Sequence, residues 1–92
     1  MSKQTEDLTT KGWEKTISKC LVGRKIVEVR YLTEKEADHM GWRNHSIIMY
    51  LDDGNYLVPM QDDEGNDGGA VLTSFNKELP TIPVIHSRYY ND

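Results

Sequence analysis

Residues 46–59, SIIMYLDDGNYLVP, decide how this chain folds. The run Ser46-Ile47-Ile48-Met49-Tyr50-Leu51 is almost continuously apolar instead of alternating, the pattern of a central strand covered on both faces. Asp52-Asp53-Gly54-Asn55 then supplies turn chemistry, with Gly54 free to take a positive φ, and Tyr56-Leu57-Val58-Pro59 returns as the partner strand. Pro59 has no amide hydrogen for a ladder, so it marks that strand's end or an edge position.

Working outward toward the N-terminus, Val27, Val29 and Tyr31 alternate with Glu28 and Arg30, which predicts a strand over residues 24–32 with its branched and aromatic side chains on one face. Thr33-Glu34-Lys35-Glu36 reads as a capping box and opens a short helix from Glu34 to Met40, with Ala37 and Met40 as its narrow apolar edge. Gly41 closes that helix and Trp42 follows as an anchor. Further upstream, Trp13, Ile17, Cys20 and Leu21 fall at helical spacing and predict a helix from Thr10 to Leu21, ended near Gly23, whose stripe packs on the rest of the fold. Cys20 lies on that stripe and is expected to be a small buried hydrophobe, not a nucleophile.

Toward the C-terminus, residues 61–69 are polar, acidic and glycine-rich, hence a surface loop. Residues 70–75, AVLTSF, form a further strand, and Ile82 to His86 a last short one flanked by Pro80 and Pro83. Two short helices and about five strands imply a single α+β domain: a curled antiparallel sheet, a partly open barrel at its most curled, with the N-terminal helix over one sheet face or an open end. The expected division is a flexible N-terminus at 1–9, the domain at 10–88 and a tail at 89–92.

Ninety-two residues with 37% apolar side chains support one modest core and exclude a large multidomain enzyme. The lone cysteine cannot make an internal disulfide, no stretch is long and apolar enough for a membrane span, and MSKQTEDLTTKG lacks the apolar centre of a secretory signal. A cytoplasmic location and no membrane association are therefore expected. The formal charge is −4 and unevenly spread: residues 1–51 carry nine basic and seven acidic side chains, residues 52–92 two and eight. General nucleic-acid binding is not expected from that balance. Asp52, Asp53, Asp62, Asp63, Glu64 and Asp67 fall in one short span without a Lys or Arg, which makes a local negative field.

The stretch LVGRKIVEVRYLTEKEADHMGWRNHSIIMYLDDGNYLVPMQDDEGNDGGAVLT, residues 21–73, resembles a family of small bacterial and phage proteins with no assigned activity. That family carries a G-x-x-I-x-x-V-R-Y-L-T strand, an E-x-E-A helix ending in G-W, an L-D-D-G hairpin and a D-D-E-G-N-D-x-G loop, and PTIPVI at 80–85 extends the likeness. The resemblance implies no mechanism. It directs attention to Arg30, Tyr31, Trp42, Arg43 and residues 62–69.

Several chemistries lack their parts. Counted as an EF-hand from Asp62, the loop has Glu64 and Asn66 in ligand positions, but Asp67 stands where the glycine is required and Thr73 where the bidentate acid belongs. If a metal binds, Asp62, Glu64, Asn66 and Asp67 are its candidate ligands, yet Asx-turn chemistry uses the same residue types and is the favoured reading. No acid is followed two residues later by lysine, Cys20, His39, His45 and His86 lack zinc spacing, the serines lie in no nucleophile elbow, and no glycine-rich nucleotide fingerprint occurs. Arg30, Arg43, Trp42 and Tyr31 read either as a cationic and aromatic patch or, preferred, as partners of the acids, with Arg30 or Arg43 bridging to Asp62, Asp63 or Asp67. Tyr89 and Tyr90 are candidates for a homodimer contact or a frayed end.

The leading expectation is a small non-enzymatic interaction module, without cofactor, that binds a protein partner or its own copy. Its binding edge comprises Asp52, Asp53, Asp62, Asp63, Glu64 and Asp67 with Arg30, Arg43 and Trp42. The alternative is a small metal-binding or hydrolytic domain using the carboxylates at 62–67 with Arg30 or Arg43.

Overall fold

A computed structural model describes residues 9–75 and 77–90 of the chain. The expected flexible segment 1–9 lies outside the described residues except for Thr9, as do the last two residues of the expected tail. The elements run α1 (Thr10–Leu21), β1 (Ile26–Tyr31), α2 (Glu34–Met40), β2 (Asn44–His45), β3 (Ile47–Leu51), β4 (Tyr56–Leu57), β5 (Val71–Leu72), β6 (Thr81–Ile82) and β7 (Ile85–His86), closed by a 3-10 turn, Ser87–Tyr89. The architecture is α+β, as the sequence pattern implies.

β3 is the centre of a three-stranded antiparallel sheet of order β1-β3-β4. Met49 faces Leu57 and Tyr50 faces Tyr56 across the hairpin, whose turn places Gly54 at φ 89°. Arg30 faces Ile48 and Tyr31 faces Ile47 on the other side, with an irregularity between Ile26 and Glu28. Ile47, Ile48 and Leu51 are buried, the outcome expected of a strand covered on both faces.

α2 sits over one face of this sheet because its ends are fixed locally. The Thr33 hydroxyl accepts the Glu36 amide at 3.1 Å, and the Glu36 carboxylate accepts the Thr33 amide at 2.8 Å. Gly41 ends the helix in the left-handed conformation, and the Trp42 amide donates to the Ala37 carbonyl at 2.9 Å. Trp42 is thereby turned into a core with Leu32, Ala37 and Ile48, against which Tyr50 and Val58 pack.

Two expectations need correction. The C-terminal strands do not extend one curled sheet: β2 pairs with β7, β5 pairs with β6, and no barrel closes. Ser46 interrupts the chain between β2 and β3, and Pro83 with Val84 splits the expected strand 82–86 into β6 and β7. Pro83 has no amide hydrogen to continue a ladder. α1 has the expected bounds, capped by Thr9 accepting the Gly12 amide at 3.1 Å, but it covers no sheet face. Trp13 and Ile17 are 54% and 49% exposed, and Cys20 is exposed as well. The link to β1 sets the helix aside. Arg24 donates its amide to the Leu21 carbonyl and holds Asp53 and Asp52 at 3.3 and 3.7 Å, while the Asp52 amide bonds the Lys25 carbonyl at 2.9 Å.

Candidate functional site

The acidic loop is built into the frame, not splayed from it. Ser46 is fully buried; its hydroxyl lies 2.7 Å from the Pro59 carbonyl and 2.7 Å from the Gly69 amide, whose hydrogen it accepts. The glycines there allow backbone to lie on backbone. A Cβ on Gly68 would come within 2.2 Å of the Asn44 carbonyl oxygen, and one on Gly69 within 2.5 Å of the Met60 carbonyl oxygen. Met60 and Gly68 also form a β-bridge.

Asp67 is the loop's principal tie. Its carboxylate accepts the amides of Arg43, Asn44 and Gly68 at 3.1, 2.9 and 2.8 Å, and the Asn44 side-chain amide at 3.0 Å. Partial burial raises the Asp67 pKa, but those donors outweigh it and the carboxyl titrates below its usual range. Asp62 folds the loop on itself, accepting the Asn66 side-chain amide at 2.8 Å and the Glu64 and Asn66 backbone amides. Its pKa is also lowered, first by the Asn66 side chain. Asp53 is lowered mainly by the Asn55 amide, an Asx turn at the hairpin tip. Among the described residues no group of three or more His, Cys, Asp or Glu side chains is placed to hold a metal ion.

The arginines do not do what the charge asymmetry proposed. Arg30 forms a bidentate pair with Glu36, at 2.9 and 3.1 Å, and donates to the Tyr50 hydroxyl at 3.0 Å. The Glu36 carboxyl is held down at about 2, first by the Arg30 guanidinium and then by the Thr33 amide, and Arg30 is correspondingly raised. Glu36 lies six residues away in sequence and on the adjoining helix, so it reaches Arg30 before the loop can. Arg43 meets Asp67 through its backbone amide, not its guanidinium. Trp42 is 4% exposed, so it offers no stacking face; its ring N–H donates to the Gly65 carbonyl at 2.9 Å and hooks the loop to the core.

Next to that hook lies a feature that sequence reasoning missed. An open groove of about 620 Å³ runs between α2 and the sheet. Leu32, Trp42, Ile48 and Val58 floor it, Met40, Met60, Tyr50 and Tyr56 rim it, and Lys35, Glu36 and His39 add polar atoms from the helix. The loop meets the groove's lining at Trp42, whose ring N–H donates to the Gly65 carbonyl, and a side chain added at Gly65 would touch the Met60 sulfur. The signal available in sequence was the run of apolar Trp42, Met40, Val58 and Met60 beside the hairpin, more than one small core needs.

His45 is fully buried and joins the C-terminal segment to the frame. Nδ1 lies 2.7 Å from the Leu32 carbonyl, which can only accept, so Nδ1 donates to it. Ser87 and Glu34 both approach Nε2, at 3.1 and 3.5 Å, and Tyr90 stacks on the ring at 3.9 Å. A Ser–His–acid relay needs the acid and the serine on opposite ring nitrogens, so this cluster is a clasp. Tyr90 is thus neither a frayed end nor an exposed contact, whereas Tyr89 is 72% exposed.

Comparison of the chain with protein-family models, with curated proteins and with solved structures returns no match. Among the described residues no helix is long and apolar enough to cross a membrane.

Proposed function

We propose that the protein is a small non-enzymatic interaction module that receives an apolar side chain of a polypeptide partner in the groove between α2 and the sheet. A basic residue beside that anchor would meet the acidic loop. The observation carrying this reading is the juxtaposition at Gly65 of an apolar trough and a rigid loop of negative charge. Groove-plus-charge recognition places hydrophobic burial at the centre and charge selection at the rim. Asp63 and Glu64 point the field outward: Asp63 has no hydrogen bond or ion pair among the described residues, and Glu64 accepts only a long one from Asn66.

The test is selection of random peptides displayed on phage against the immobilised full chain. Enriched peptides should carry a large apolar residue next to Lys or Arg, and their binding should fall about tenfold or more in Met40→Trp, which fills the groove mouth, and less in Asp63→Asn/Glu64→Gln. No enrichment, or binding indifferent to Met40→Trp, overturns the reading.

A further inference from the structure

A second surface, away from the groove, points to this protein's own copy. Among the described residues β1 is an edge strand, paired with β3 on one side only. Ile26, Val27 and Val29 are 56%, 62% and 53% exposed there, and the preceding helix adds Trp13 and Ile17. Natural edges of this kind are usually blunted by charge, bulges or cover. Here the irregularity at Val27 blunts only the start of the strand, and the only charges on it are Glu28 and Arg30, of opposite sign and flanking Val29.

The register shows which backbone groups face outward. The Leu32 amide donates to the Ser46 carbonyl at 2.9 Å, and Arg30 faces Ile48 two residues along. In an antiparallel ladder the narrow pairs recur every second residue, so Arg30 and Leu32 direct their backbone toward β3 and Val29 directs its N–H and C=O toward the open side. A two-fold axis at Val29 would set Val29 against Val29 of a second copy as a hydrogen-bonded pair. It would set Glu28 against Arg30 of the second copy twice over, within the regular part of the strand that begins after the irregularity at Val27. The strand is therefore self-complementary in polarity and charge about Val29.

We propose that two copies associate through antiparallel pairing of β1 about Val29, extending the three-stranded sheet across a two-fold axis. A six-residue strand pair alone falls short of the roughly 1,000 Å² that a specific interface needs. The exposed Trp13 and Ile17 of α1, which precedes the same strand, are the apolar side chains available to enlarge that interface, since antiparallel pairing sets the N-terminal end of each strand beside the Tyr31 end of the other copy.

The experiment is sedimentation velocity of the full chain over a wide concentration range, with amide hydrogen exchange read at Val29. A dimer should form with concentration, and exchange at Val29 should slow in step with it. Val29→Pro removes only an outward N–H, a position where an edge strand tolerates proline, and should weaken the dimer about tenfold or more. Val29→Lys, a charge on the same edge, should do likewise if the proline variant fails to fold. Glu28→Lys, which opposes like charges, should weaken it as well. A chain monomeric throughout, or a dimer equally strong in folded Val29→Pro or Val29→Lys, overturns the proposal; the latter assigns association to α1 or the groove.

Discussion

α1 carries the broader apolar stripe of the two helices, Trp13, Ile17 and Leu21 over twelve residues, and leaves Trp13 54% exposed. α2 has seven residues and little more than Ala37 on its apolar edge, yet Ala37 is completely buried. Both helices have the bounds and caps that their sequences dictate. What separates them is the direction of the chain at their ends. Thr33 and Gly41 turn α2 back over the sheet, while α1 runs on into a link whose Arg24 pairs with Asp52 and Asp53 at the hairpin. Amphipathicity states that a face wants cover; it does not state which surface supplies it.

The sharpest way to break that contrast is to remove a tryptophan from each side. Trp42→Ala should cost about 3–5 kcal/mol in denaturant unfolding, through the cavity and the loss of the Gly65 hook. Next in size, Gly68→Ala drives a methyl into the Asn44 carbonyl, a backbone atom that cannot step aside, and should cost about 3 kcal/mol as read by melting temperature. Asp67→Asn should sharpen the same picture by loosening the loop without emptying the core, raising amide exchange at Asn44 and Gly68.

Glu36→Gln removes the bidentate partner of Arg30 and half of the capping box. Both side chains are partly open to solvent, so screening reduces the effect to about 1–2 kcal/mol. The wild-type carboxyl titrates at about 2 in the folded protein, below its ordinary 4.5. Its contribution is thus fully present above pH 4.5 and is lost as pH falls toward 2, and the glutamine variant should lose less stability over that acid range. The smallest effect is expected from Trp13→Ala: under about 0.5 kcal/mol at concentrations where the chain is monomeric. A loss comparable to that of Trp42→Ala would show that α1 is packed after all.

Much of this fold was legible locally. The hairpin at 46–59, the capping box at Thr33–Glu36 and the stop at Gly41 all depend on groups a few residues apart, so residue type and spacing suffice to place them. The acid-rich loop was also legible as a turn, since Asp62 and Asp53 accept amides two to four residues on. Arg30 illustrates the limit. Charge counting along the chain favoured the distant acids at 62–67, but Glu36 on the next element is nearer in space, and the bidentate pair goes to it.

The sequence by itself determined where helices begin and end, where the chain turns and where negative charge collects, because those outcomes rest on short-range hydrogen bonds and on backbone preferences. Only the tertiary structure decided that α2 roofs a groove and α1 roofs nothing, that Trp42 and Gly65 meet, that Gly68 lies on Asn44, and that one edge of β1 stays open. Such contacts join residues 20 or more positions apart, and the packing that selects among them is a property of the assembled whole.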